Sequence, residues 1–189
     1  LMIDDFEDAD LNSLQGQNWL GSDDSSSVGS STIAISNQAG GAAATARFLR
    51  MAGTLRADIP DGSGLYYGFA QELALLVNVS PAAFSDIRMY VQGSLPSGGF
   101  AASGLALSVW MADGDYFTLD MTPDVGGAWT LGAYDLGGAS PDLANIHPTF
   151  ATETSDISAL ILYPIAYSFG SGTSGAYNID VDQIEFFRP

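Results

Sequence analysis

Apolar residues in this chain recur at every second position, in short runs cut by glycine, serine, aspartate and proline. A period of two is what a β-strand with one buried face requires, because successive side chains point to opposite sides of a sheet. From Asp86 to Gln92, Ile87, Met89 and Val91 fall on one face and Arg88, Tyr90 and Gln92 on the other. From Gly104 to Met111, Leu105, Leu107, Val109 and Met111 oppose Ala106, Ser108 and Trp110. From Tyr116 to Met121, Phe117, Leu119 and Met121 oppose Tyr116, Thr118 and Asp120. Helical spacing is hard to find. The same alternation predicts further strands over Met2–Phe6, Thr32–Ser36, Ala44–Leu49, Thr54–Asp58, Tyr66–Val77, Trp129–Tyr134, Ser158–Pro164 and Tyr177–Phe187. Turn chemistry separates them, in Asp61-Gly62-Ser63-Gly64, Pro96-Ser97-Gly98-Gly99, Gly126-Gly127 and Gly170-Ser171-Gly172. Asp113-Gly114 between two alternating runs is the strongest hairpin signal. The expectation is an all-β fold, an antiparallel β-sandwich, as a single domain over residues 1–189.

Charge narrows the partners. Five Lys+Arg stand against 22 Asp+Glu, a net charge of −17, and all the basic residues are arginines. Nucleic acid and anionic membrane surfaces both need a basic footprint, so neither is an expected partner, and polyanionic glycans would be repelled. With no cysteine there are no disulfides and no thiolate metal sites. The richest apolar stretch, from Phe69 to Val79, is broken by Gln71, Glu72 and Asn78, well short of a membrane-spanning helix. The chain opens Leu1-Met2-Ile3-Asp4-Asp5, acidic where a leader would be basic, which reads as a mature or excised module. The longest polar stretch runs from Asp10 to Ser31 and includes Asp23-Asp24-Ser25-Ser26-Ser27, either a solvated loop or the rim of a site.

The faces turned away from the core carry Arg88, Tyr90, Gln92, Trp110, Tyr116 and Asp120. Flat aromatics mixed with planar hydrogen-bonding groups suit a sugar: rings stack on its apolar C–H face while amide, guanidinium and carboxylate groups bond its hydroxyls. The same aromatics could equally pair across strands. Tyr163 would extend the platform if Leu160 and Leu162 point inward, and Tyr167 and Phe169, read as loop residues, could wall it.

Carboxylates also gather at the chain ends, in Ile3-Asp4-Asp5-Phe6-Glu7-Asp8 and Ile179-Asp180-Val181-Asp182-Gln183-Ile184-Glu185. If these two strands are neighbours, a hard cation such as calcium would relieve the repulsion; the alternative is a pair of solvated acidic strand faces. Catalysis has few candidates. Glycoside hydrolysis needs two carboxylates facing across a cleft, and the glutamates are Glu7, Glu72, Glu153 and Glu185. The single histidine, His147, lies in Asn145-Ile146-His147-Pro148 and reads as a surface-loop residue.

Taken in order, the two terminal acidic motifs, Asp86-Ile87-Arg88-Met89-Tyr90-Val91-Gln92-Gly93 and Ala128-Trp129-Thr130 resemble the galactose-binding-like jelly rolls, most of all family 11 carbohydrate-binding modules and the complex I intermediate-associated protein family. The resemblance spans almost the whole chain in short motifs. It implies a β-sandwich with a glycan cleft on its concave sheet and a structural calcium ion near the joined termini. By position it makes Asp5, Glu7 and Asp182 the calcium ligands and puts Arg88, Tyr90 and Gln92 on the strand lining the cleft, with Trp110, Tyr116 and Tyr163 as further ligand-binding candidates. The expected function is non-catalytic binding of a neutral polysaccharide by one extracellular module of a larger secreted protein. The alternative is a calcium-stabilised structural or protein-interaction domain.

Overall fold

The computed structural model describes residues 1–14, 16–22 and 31–188, and for Ser22 and residues 71–78 the backbone path alone. Asp23 to Ser27 of the long polar stretch lie outside the described residues. The strands are β1 (Met2–Asp4), β2 (Leu20–Ser22), β3 (Thr32–Ala39), β4 (Arg47–Ala57), β5 (Ile59–Pro60), β6 (Tyr66–Phe69), β7 (Gln71–Val79), β8 (Asp86–Ser94), β9 (Ala102–Met111), β10 (Tyr116–Asp120), β11 (Thr130–Asp135), β12 (Ser140–Pro141), β13 (Ile157–Ser168) and β14 (Thr173–Phe187). They form two antiparallel sheets. The first runs β11-β8-β14-β4-β3, with β1 added on β14; the second runs β12-β10-β9-β13-β6-β5, with β7 also on β13 and β2 on β7. No helix among the described residues is long and apolar enough to cross a membrane.

The alternation sorts the side chains as the sequence implies. Ile87, Met89 and Val91 of β8, Ile179 and Val181 of β14, and Leu49, Met51 and Leu55 of β4 are fully buried. They face Leu105, Leu107 and Val109 of β9, Phe117 of β10, and Leu160 and Leu162 of β13 in one core. Each such side chain contributes about 1.5–3 kcal/mol of burial free energy.

Strand boundaries differ where glycine has a packing role. Ala44–Leu49 and Thr54–Asp58 are expected as two strands, yet β4 runs unbroken through Met51-Ala52-Gly53. Gly53 is no turn: a Cβ there would overlap the Thr32 carbonyl of β3, so the glycine permits close approach of two backbones. Conversely, the expected strand Tyr66–Val77 divides at Ala70, whose N–H turns to the Pro164 carbonyl. β13 continues to Ser168 and takes Tyr167 into the sheet.

In β14 the alternation changes phase. Gln183 adopts a positive φ of 50°, and the pairing with β8 shifts between Asp182 and Glu185. This bulge inserts one residue, so that Ile179, Val181, Ile184 and Phe186 all reach the core.

The N-terminus is anchored by a buried carboxylate. Asp4, 1% exposed, accepts from Phe6 N at 2.8 Å and from Trp19 Nε1 at 2.6 Å. Burial pushes its carboxyl up to about 6 despite these donors. Replacing Trp19 with Phe keeps the ring against Phe6 but leaves Asp4 Oδ2 short of its donor. Urea unfolding should register a loss of about 1–3 kcal/mol, and an unchanged midpoint would contradict this anchoring.

Candidate functional site

The outer face of the second sheet carries a groove. Its floor comes from β9, where Gly104 has no side chain and Ala106 and Ser108 present small ones, beside Ile161 and Ile165 of β13. Aromatic rings rise on both flanks. On one side Trp110 and Tyr116 are direct cross-strand partners of β9 and β10, stacked with centroids 4.7 Å apart and planes 14° from parallel. On the other, Tyr67 of β6 faces Tyr167 of β13 in register, with centroids 6.0 Å apart, and Tyr67 also stacks on Phe69 at 6.2 Å. Tyr163 lies between the two halves, lining both. The cavity between Trp110 and Tyr116 on one flank and Tyr67 and Phe69 on the other holds a volume of about 310 Å³.

Among the described residues, the lining carries one charge, Asp120, and no basic group. Burial raises the Tyr116 phenol, and its hydrogen bond to Asp142 adds to this; burial likewise raises Tyr167. The phenols therefore stay protonated at neutral pH and present hydroxyl donors and acceptors beside flat apolar rings. Such a surface can take a ligand with an apolar face and a hydroxylated edge.

The structure brings Trp110, Tyr116 and Tyr163 together but does not bring Arg88, Tyr90 and Gln92 to them. β8 lies in the first sheet, between β11 and β14, so those three residues occupy the opposite outer face of the sandwich. Alternation reports which side of a strand a residue occupies; it does not report which sheet the strand joins. There Arg88 lies 3.2 Å from the centroid of the Phe187 ring. Gln92 Nε2 donates to Asp180 at 2.9 Å, and Arg50 grips the same carboxylate through Nε at 2.7 Å and Nη2 at 2.8 Å. Tyr90 stands opposite Asp182 and Leu131. Tyr167, expected as a loop wall of the platform, lines the groove from within β13; Tyr67 and Phe69 are groove residues that the sequence reading leaves out, although the Tyr66-Tyr67 pair opening an alternating run marks the place.

The chain ends do meet, since β1 pairs with β14. Glu7 Oε1 accepts from Ala46 N at 2.8 Å and Arg47 N at 2.9 Å. Asp182, fully buried, accepts through Oδ2 from Ala42 N at 2.8 Å and from Thr45 Oγ1. Its Oδ1 is buried with no hydrogen-bond partner. Burial, with a contribution from the Glu7 charge, raises the Asp182 carboxyl against the Thr45 and Ala42 donors. At Gly41 a Cβ would run into Thr45 Oγ1, the Arg47 carbonyl and Asp182 Oδ2, so the loop cradles the carboxylate closely. These are oxygen donors only, one of them orphaned, which is the chemistry a hard cation takes. Asp5 is placed differently: its Oδ1 accepts from the Glu7 amide at 3.2 Å.

A second group that could hold a metal ion joins Asp113, Asp115, His147 and Glu153, whose ligand atoms lie within 4.8 Å of one another. His147, expected as a surface residue, is half-buried among these carboxylates. Burial opposes ionisation of Asp115, but the His147 and Ile146 amides and the imidazole outweigh it and hold the carboxyl below the usual range.

Solved structures share this architecture. The family 11 carbohydrate-binding module of the cellulosomal cellulase Lic26A-Cel5E of Clostridium thermocellum superposes with a TM-score of 0.63 at 13% identity, over 100% of this chain and 94% of that one. The family 11 module from Clostridium thermocellum in complex with a β-1,3-1,4-mixed-linked tetrasaccharide gives 0.61 at 14% identity, over 98% and 94%. An exo-β-agarase gives 0.50 at 14% identity, over 100% of this chain and 26% of its own. No protein-family model and no curated protein matches the chain. At these identities the likeness establishes the fold, that of a carbohydrate-binding-module β-sandwich.

The first sheet's outer network makes its own prediction. Asp180→Ala removes the acceptor of Arg50 and Gln92 on the face away from the groove. Urea unfolding should show a loss of about 1.5–3 kcal/mol. A change below a few tenths would mean that the fork is solvated and contributes little.

Proposed function

We propose that this chain is a non-catalytic carbohydrate-binding module that takes a neutral polysaccharide, of the β-glucan class, along the groove of its second sheet. The observation that carries the proposal is the double row of rings, Trp110 with Tyr116 and Tyr67 with Tyr167, across a floor of small residues. A pyranose chain offers C–H faces to such rings and hydroxyls to Tyr163, Ser108 and Asp120. A groove whose described lining holds one acid and no base, in a chain of net charge −17, favours an uncharged glycan over an anionic one. Residues 1–189 then act as one module of a larger secreted, extracellular protein. The mixed-linked glucan bound by the structural neighbour supports the choice of ligand class.

We further propose that calcium is a structural cofactor at the joined chain ends, held by Glu7 and by the orphaned Asp182 Oδ1, with Asp5 contributing through its support of the Glu7 backbone. The ion would offset carboxylate repulsion there and fix the 41–47 loop.

Isothermal titration with mixed-linkage β-glucan should show binding by the wild type. Truncating one ring at the groove, in Trp110→Ala or Tyr116→Ala, should weaken it about 10- to 100-fold. Arg88→Ala and Gln92→Ala, on the other sheet, should bind as the wild type does. Flat titrations against mixed-linkage glucan, xylan and mannan alike would overturn the glycan proposal in favour of a protein-interaction domain.

The calcium proposal has a separate readout. A ligand that binds only the folded state stabilises it by mass action, so EDTA should lower the melting temperature and added Ca2+ restore it. Asp182→Asn should remove most of that response. If EDTA leaves the melting curve of the wild type unmoved, the terminal calcium site is wrong.

A further inference from the structure

The turn Asp113-Gly114-Asp115 after β9 and the segment 145–153 come together at His147. Asp115 is tied to this segment by backbone donors, Ile146 N to Oδ1 and His147 N to Oδ2, each at 2.8 Å. The imidazole Nδ1 then faces three carboxylate oxygens: Asp115 Oδ2 at 3.1 Å, Glu153 Oε2 at 3.4 Å and Asp113 Oδ2 at 3.6 Å.

Glu153 is the decisive member. Its Oε1 already accepts from Thr154 N, Ser155 N and Ser155 Oγ at 2.7–2.9 Å. Its Oε2 is aimed at His147, buried, and without a hydrogen-bond partner, on a side chain 0% exposed. A buried carboxylate oxygen with no donor is costly. One proton on Nδ1 can serve only one of the three acceptors, and Asp115 Oδ2 is the nearest. Three carboxylates also exceed the charge of a single imidazolium.

We propose that Asp113, Asp115, His147 and Glu153 bind a divalent first-row transition ion, of the Zn2+ or Mn2+ class. Ligands about 2.1 Å from a tetrahedral ion lie about 3.4 Å apart, and the three oxygens stand at 3.1–3.6 Å from Nδ1. Calcium takes oxygen ligands, whereas an imidazole nitrogen among carboxylates suits a first-row transition ion. This centre is thereby distinct from the oxygen-only pair at the chain ends. It also has a mechanical consequence. Asn145 already clips the backbone of Tyr116, accepting from its N–H at 3.1 Å and donating to its carbonyl at 2.8 Å. An ion joining the 113–115 turn to the 145–153 segment would fix the end of the groove where Trp110 and Tyr116 stack.

The test uses the full chain stripped with EDTA and dialysed. Titration calorimetry and thermal melts with Zn2+, Mn2+ and Ca2+ should give one transition ion per chain at this centre and a raised melting temperature. His147→Ala and Asp113→Asn, both at partly exposed side chains, should weaken that binding about tenfold or more. Co2+ should give visible absorption that Glu153→Gln alters. The Ca2+ response should persist in His147→Ala and disappear in Asp182→Asn. The proposal is overturned if neither Zn2+ nor Mn2+ binds, if His147→Ala binds them as tightly as the wild type, or if the only response lost in His147→Ala is that to Ca2+.

Discussion

The architecture depends on one strand holding two requirements at once. β14 lies at the centre of the first sheet, paired with β4 on one side and β8 on the other, and near its end it also receives β1. Its inner face must stay apolar along its whole length, yet its outer face carries Asp180 and Asp182 into places with almost no solvent. The bulge at Gln183 reconciles them. With one residue added to the ladder, Val181 and Ile184 both remain in the core, while Asp182 is left beside the 41–47 loop. Without the extra residue, the strand beyond it would turn Ile184 and Phe186 outward.

Much of this was legible in the sequence. The clean alternation in β8, β9 and β10 gave the buried faces correctly because a period of two leaves no freedom once one face is committed to the core. Leu160 and Leu162 inside, with Tyr163 in the groove, follow from the same rule. The β9–β10 hairpin at Asp113-Gly114 and the meeting of the two terminal strands follow from local signals, but the other neighbours were not legible, because pairing between β8 and β14, or β9 and β13, is set by long-range packing. Alternation alone therefore groups Arg88, Tyr90 and Gln92 with Trp110, across a sandwich that separates them. The break at Ala70 and the continuity through Gly53 depend on backbone contacts with Pro164 and Thr32, which local composition does not encode. His147 looked isolated because its partners lie 34, 32 and 6 residues away, as Asp113, Asp115 and Glu153.

The acidic excess serves turn chemistry in many places. Asp5, Asp8, Asp10, Asp61, Asp113, Asp120, Asp135 and Asp142 each accept from the backbone amide two residues ahead. An aspartate in this position closes a turn by itself and tolerates conformations that lysine or glutamate would not favour. Aspartate therefore dominates the acids, and its charge is spread around the ends of strands, whereas the described lining of the groove keeps only Asp120.

The cross-strand register of the aromatic pairs bears on how the groove can work. Trp110 is held against Tyr116, and Tyr67 against Tyr167, by ladders in the middle of a sheet. Their backbones are fixed when the chain folds, and each ring limits the rotamers of its neighbour. A flat-faced ligand would thus meet a surface already arranged for it, with little side-chain freedom left to lose on association. Binding on such a surface requires no hinge or lid, and it would lose strength through damage to the sheet before damage to any loop.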